Sequence, residues 1–155
     1  MKPVSNIVPF KTDGASYESE KKFGKAVMSH GAYIVPALLF RAQARLGVNS
    51  TQMVVLLQLL DFWWSKGSSA HPSIKTIAER IDLTPKQVQR TVNALVEKKL
   101  ITRINQHLPS GGKTSNLYKF DGLLKRLQAI EVDFDQARKA KKAAAKPGGL
   151  KANKQ

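Results

Sequence analysis

The stretch that decides the fold is Ser73 to Lys99, SIKTIAERIDLTPKQVQRTVNALVEKK, which reads as two short helices joined by a tight turn. Ser73 is a good N-cap, and Ile74, Ile77, Ala78 and Ile81 follow at helical spacing to make one apolar stripe. Asp82 and Leu83 break that pattern. Thr84 then starts a second helix as N-cap, with Pro85 at the first helical position and Gln87 completing a capping box, so three independent signals fix the same start. Val88, Val92, Leu95 and Val96 form its buried face.

At 100° per residue the opposite face of the second helix carries Lys86, Arg90 and Asn93, flanked by Gln87 and Gln89. These are the side chains that read bases: Arg and Lys donate to guanine O6 and N7, while Asn and Gln can pair with adenine N6 and N7 in the major groove. A solvated amphipathic hairpin is the competing reading, and the next segment of chain weighs against it. After Lys99 the period becomes alternating over 100–106, a Gly- and Pro-rich tip covers His107 to Ser115, and a return strand covers Asn116 to Asp121. Helix, turn, helix and two-stranded wing, in that order, define a winged helix-turn-helix, a mainly α fold with a small β-hairpin.

The run HPSIKTIAERIDLTPKQVQRTVNALVEKKLITRI resembles the bacterial winged helix-turn-helix proteins that include transcriptional regulators, plasmid initiators and replication-initiation proteins of the DnaD and phage O type. Tyr33 to Leu39, YIVPALL, resembles the short lead-in that precedes such domains, and the likeness extends over about 31–121. Asp82 and Lys99 stand where the family carries glycine. Either can take a left-handed or bridging backbone at modest cost, Asp more easily than Lys, so the fold is kept while the exact turn geometry stays open. The resemblance implies binding of double-stranded DNA, by a transcriptional repressor or, alternatively, by a plasmid or phage replication-initiation factor; a winged helix that serves as a protein-interaction module is less favoured, because the outer face of the helix over 84–95 is basic and amide-rich.

The composition agrees with such a partner. Lys and Arg number 26 against 11 Asp and Glu, a formal net charge of +15, which calls for a polyanion. An anionic membrane surface would also satisfy that charge, but no apolar run reaches the roughly 20 residues of a spanning helix. The N-terminus, MKPVSNIVPFKTDG, has no signal-peptide core. There is no cysteine, hence no zinc-finger route to DNA. The expected setting is the cytoplasm, at the nucleoid, with no cofactor, metal or small-molecule ligand.

Residues 1–25 read as a flexible arm, 26–121 as the DNA-binding domain, 122–136 as a C-terminal helix and 137–155 as a disordered basic tail. Within the domain a helix is expected over 36–46, ended by Gly47, with Arg41 and Arg45 on its exposed side. Asn49 and Gln52 signal the start of the next helix, which is apolar round most of its circumference through Met53, Val54, Leu56, Leu57, Leu59 and Leu60. Trp63 and Trp64 fit packing better than base stacking. The terminal helix carries one stripe of Leu123, Leu124, Leu127, Ile130 and Phe134, which is expected to pair with its twin in a homodimer. The tail holds seven of the positive charges, so +8 remains without it.

Phosphate contacts are expected from Lys75, Thr84, Thr91, Arg103, Lys113 and Thr114, the last two at the wing tip. An enzyme reading fails on spacing. The segment SGGKTS would need glycine at position 107, where His107 stands, and a helix after it to be a phosphate-binding loop. His30, His71 and His107 lie far apart, and no acidic pair sits near an expected cleft.

Overall fold

The computed structural model describes residues 15–63, 69–106, 111 and 114–145 of the chain. Its helices are α1 (Ala15–Phe23), α2 (Lys25–Met28), α3 (Ala37–Arg41), α4 (Gln43–Leu46), α5 (Ser50–Asp61), α6 (Ile74–Arg80), α7 (Pro85–Glu97) and α8 (Asp121–Ala144). Two strands, β1 (Thr102–Ile104) and β2 (Leu117–Lys119), form the wing between α7 and α8. Two compact units divide after Val35.

In the first unit the expected arm is helical from Ala15 onward, broken by Gly24 at φ 86°. The interval 15–23 contains no proline or glycine, and Lys21 pairs with Glu18 one turn away, at 3.1 Å. The arm's first fourteen residues lie outside the described ones. The boundary expected at residue 26 falls instead at 36.

The second unit is built on the predicted pair. Thr76 N donates to Ser73 Oγ at 3.0 Å, which caps α6, and the capping box of Thr84 and Gln87 closes in both directions at the start of α7. Ile77, Ala78, Val88, Val92 and Leu95 are buried as their spacing requires, whereas Ile74, Ile81 and Val96 are half-buried. Burying the α7 side chains contributes about 1.5–3 kcal/mol each. Asp82 (φ 53°) and Lys99 (φ 58°) are the only non-glycine residues with positive φ among the described residues. They are the two positions at which the resemblance implies glycine. The turns keep their left-handed geometry, and the cost falls on the backbone of these two side chains.

α5 packs on α7 and α6 through Met53, Val55, Leu56 and Leu59, with its own capping box from Asn49 and Gln52. Its circumference is less buried than expected, because Val54 faces solvent at 42% exposure. The helix expected over 36–46 is broken at the fully buried Ala42 (φ −94°, ψ 5°) into α3 and α4. Leu39 and Leu46 still reach the core on either side of the break. Gly47 ends α4 in the left-handed conformation, at φ 67°.

The wing pairs Thr102 with Lys119, Arg103 with Tyr118 and Ile104 with Leu117 in antiparallel register. A third position joins through Ala70, whose N–H donates to Tyr118 O at 3.1 Å while Tyr118 N donates back at 2.9 Å. The strands are shorter than the 100–106 and 116–121 expected, since Leu100 and Ile101 serve the core before the ladder begins. Trp63 packs on Phe120 with ring centroids 5.1 Å apart and the rings tilted by 40°, a packing role; Trp64 lies outside the described residues.

α8 starts against the backbone that leaves α7. Leu123 N donates to Leu100 O at 2.8 Å, and a Cβ on Gly122 would stand 1.9 Å from Lys99 O, so only glycine admits this approach. The helix runs to Ala144, eight residues into the segment expected to be a disordered tail. Its sequence there is Ala, Lys and Arg, all strong helix formers, and Asp135 holds Arg138 and Lys139 at 2.6 Å each. Those two cations hold the Asp135 carboxyl below its ordinary value. The stripe expected to seek a twin is used at home: Leu123, Leu127 and Ile130 are buried in the chain's own domain, where α8 contacts α3 and Asp133 pairs with Arg45 at 2.6 Å. Residues 146–155 are not among the described ones. No helix among the described residues is long and apolar enough to cross a membrane.

Candidate nucleic-acid interface

α7 turns Val88, Val92 and Leu95 inward, and this fixes what it turns outward. Lys86, Gln87, Arg90 and Asn93 are all exposed, and Gln89 is half-buried on one flank. The five side chains expected to read bases therefore share one side of a 13-residue helix. Neither Lys86 nor Arg90 has a hydrogen-bond or ionic partner among the described residues. Their charges are available to a ligand.

The amides are more constrained. Gln87 Oε1 accepts from Thr84 N and from Thr84 Oγ1, both at 2.9 Å. Asn93 Oδ1 accepts from Gln89 Nε2 at 3.0 Å and from Arg103 Nη1 at 2.8 Å. Arg103 comes from β1 in the wing, so this bond ties the wing to the outer face of α7. Such a tie depends on where the hairpin lands, ten residues farther along the chain.

Among the expected phosphate contacts, Arg103 is half-buried and stands opposite Tyr118 in the ladder. Burial raises the Tyr118 phenol above its ordinary value of 10.0, opposed by its hydrogen bond with Asn116 and by the Arg103 charge. Lys75 is 81% exposed and only loosely paired with Glu79, at 3.8 Å. The two threonines are engaged within α7: the Thr84 hydroxyl serves both directions of the cap, and Thr91 Oγ1 donates to Gln87 O at 2.9 Å. Each would have to release its bond to donate to a phosphate. Thr114 is exposed, and its N–H donates to Gln106 O at 3.4 Å across the wing. Lys113 and His107 lie outside the described residues.

Sequence reasoning missed the neighbour of this face. A cleft of about 310 Å³ lies between α7 and the start of α5, lined by Asn49, Thr51 and Gln52 on one side and by Gln87, Arg90 and Thr91 on the other. The capping box at Asn49 was legible and located the helix start, but its position beside Arg90 comes from the packing of α5 on α7. Arg80, by contrast, is taken: it donates to Asp61 Oδ2 at 2.8 Å and lies 4.7 Å over the Phe62 ring. It holds α6 to α5.

Residues 35–139 match the DnaD N-terminal domain family. The chain belongs to that family. It is similar to the crystal structure of the N-terminal domain of the DnaD protein from Geobacillus kaustophilus, with 21% identity and a TM-score of 0.53, over 76% of this chain and 93% of that one. It is also similar to a possible transcriptional regulator from Methanosarcina mazei, with 19% identity and a TM-score of 0.46, over 74% of this chain and 98% of that one. At such identities the first likeness is one of fold. No curated protein matches.

Proposed function

We propose that this family member binds double-stranded DNA sequence-specifically, presenting the outer face of α7 to the major groove and the wing to the flanking backbone. The observation that carries this reading is the alignment of Lys86, Arg90 and Asn93 on one exposed side of a helix whose start is locked by a capping box. Two of these side chains have unspent positive charge. A rod about 20 Å long, at 1.5 Å per residue, with a polar edge fits the roughly 12 Å major groove. The basic balance of the chain supplies the sequence-independent attraction.

Between the two settings expected for such a domain, the DnaD family match favours replication initiation on plasmid or phage DNA over repression of transcription. Both would operate in the cytoplasm, without a cofactor, and neither requires a catalytic step. A homodimer remains part of the proposal, but its support moves away from α8. Phe23, Val27, Tyr33 and Ile34, within twelve residues of the first unit, are 49–69% exposed, large apolar side chains that a second copy would cover. A two-fold pair would place its half-sites about 10 bp apart, or a multiple of that.

Selection of bound duplexes from a random pool tests the reading, with the selected motif then mapped in the source genome. Motifs iterated at an origin support initiation, and a single motif overlapping a promoter supports repression. A pool that returns no motif removes the base-reading role.

A further inference from the structure

An amide on a recognition helix is ordinarily ambivalent. Asn or Gln pairs with adenine by donating to N7 and accepting from N6, so it needs both its nitrogen and its oxygen facing the base. On α7 that choice has been removed. Gln87 Oε1 faces the backbone N–H of Thr84, a group that can only donate, so the oxygen is turned to the cap and Nε2 is left outward. Asn93 Oδ1 faces the Arg103 guanidinium, which also can only donate, and a second donor arrives from Gln89. Both oxygens carry two hydrogen bonds. What the face still offers is Lys86 Nζ, Gln87 Nε2, the Arg90 guanidinium and Asn93 Nδ2, all donors. The remaining acceptors stand to the side: Gln89 Oε1 and Thr91 Oγ1 are on half-buried residues, and Glu97 lies a turn beyond Asn93.

Resting on the reading of α7 as the helix that enters the major groove, we infer that its outer face is a donor-only surface that specifies guanine, with Arg103 of the wing as the positioning residue that gives Asn93 this polarity. Guanine shows two acceptors in the major groove, N7 and O6. Adenine shows N7 beside an N6 amino group that would meet Asn93 hydrogen to hydrogen, and cytosine shows a donor. Thymine offers one acceptor beside a methyl group. The ordinary pairing of asparagine with adenine is thus excluded at this position as long as Arg103 holds the oxygen.

The test uses the full chain and duplexes selected from a random pool. The base position governed by Asn93 is the one whose preference disappears in Asn93→Ala. In the unaltered protein that position is guanine, and replacing it with adenine weakens binding about five- to hundredfold. Replacing it with 7-deazaguanine, which lacks N7, also weakens binding and requires no protein variant. Arg103→Leu removes the one partner that can only donate; Gln89, the remaining partner, is itself an amide and can turn with Asn93, so adenine becomes tolerated there to within about threefold of guanine; Arg103→Lys, still a donor to Oδ1, retains the guanine preference. Adenine at the Asn93 position in the unaltered protein, an unchanged preference in Arg103→Leu, or no position responding to Asn93→Ala would each overturn the donor-only face and leave DNA reading by α7 standing. Equal affinity for every duplex, or none for any, would overturn both. Thermal melting of each variant, expected within a few degrees of the parent, separates these outcomes from unfolding.

Discussion

α7 and α8 are both amphipathic helices with three buried residues on one stripe, yet they use their polar sides in opposite ways. The amides of α7 are held by neighbours: Gln87 by the cap, Asn93 by Gln89 and Arg103. The start of α8 has no side-chain cap, and its last two turns carry Arg138, Lys139, Lys141 and Lys142, of which the first two share Asp135. Arg138 and Lys139 are about four-fifths exposed. A donor with a fixed direction can distinguish one base from another. On the reading proposed above, α7 carries the groups that meet base edges, while the cation cluster at the end of α8 attracts phosphate without regard to sequence.

The contrast extends to how the two helices are placed, and substitutions there have the largest expected effect. Gly122→Ala sets a Cβ where Lys99 O already stands, so the start of α8 must shift; unfolding in urea should show a loss of about 3 kcal/mol or more. Thr84→Ala removes the α7 cap and should cost about 1 kcal/mol in the same measurement. A smaller loss at 122 than at 84 would mean that α8 is not seated by backbone contact.

The next effects are on binding. Arg90→Ala should weaken the selected duplex by about 1–3 kcal/mol and relax the preference at one base, with little change on random duplex. Truncation after Gln136 should weaken all duplexes alike and reduce the salt slope by about 0.9 for each phosphate that is no longer neutralised. Were truncation to change the preferred sequence, or Arg90→Ala to act equally on every duplex, the division of labour between the helices would be wrong.

The smallest effect concerns the wing's anchor. Because burial raises the Tyr118 phenol above 10.0, the folded chain favours the neutral form. That contribution is complete below pH 10 and is lost as pH climbs through the folded value. Tyr118→Phe should abolish this alkaline decline in stability while leaving binding at neutral pH unchanged.

Much of α6 and α7 was legible because their signals are local. Ser73, Thr84, Pro85 and Gln87 act within a turn of themselves, whereas Asp82 and Lys99 marked the turn positions but left their backbone open between left-handed and bridging until φ of 53° and 58° decided it. The parts that were not legible depend on distant chain. Gly122 looks like an ordinary glycine until α8 meets the Lys99 carbonyl, and the break at Ala42 carries no proline or glycine to announce it. The stripe on α8 gave its period but not its partner, which is the domain itself. For the candidate interface, the exposed set from Lys86 to Asn93 was evident from periodicity alone, whereas the orientation of Asn93 required the wing to bring Arg103 within 2.8 Å.

The central claim is that the outward side chains of α7 read the duplex. The most direct measurement is the ratio of selected-duplex to random-duplex affinity, by fluorescence anisotropy, for the parent chain and for the triple variant Lys86→Ala, Arg90→Ala, Asn93→Ala. A ratio that falls to about 1, with most of the random-duplex affinity retained through the basic tail, is the expected result. A ratio unchanged from the parent would contradict the account.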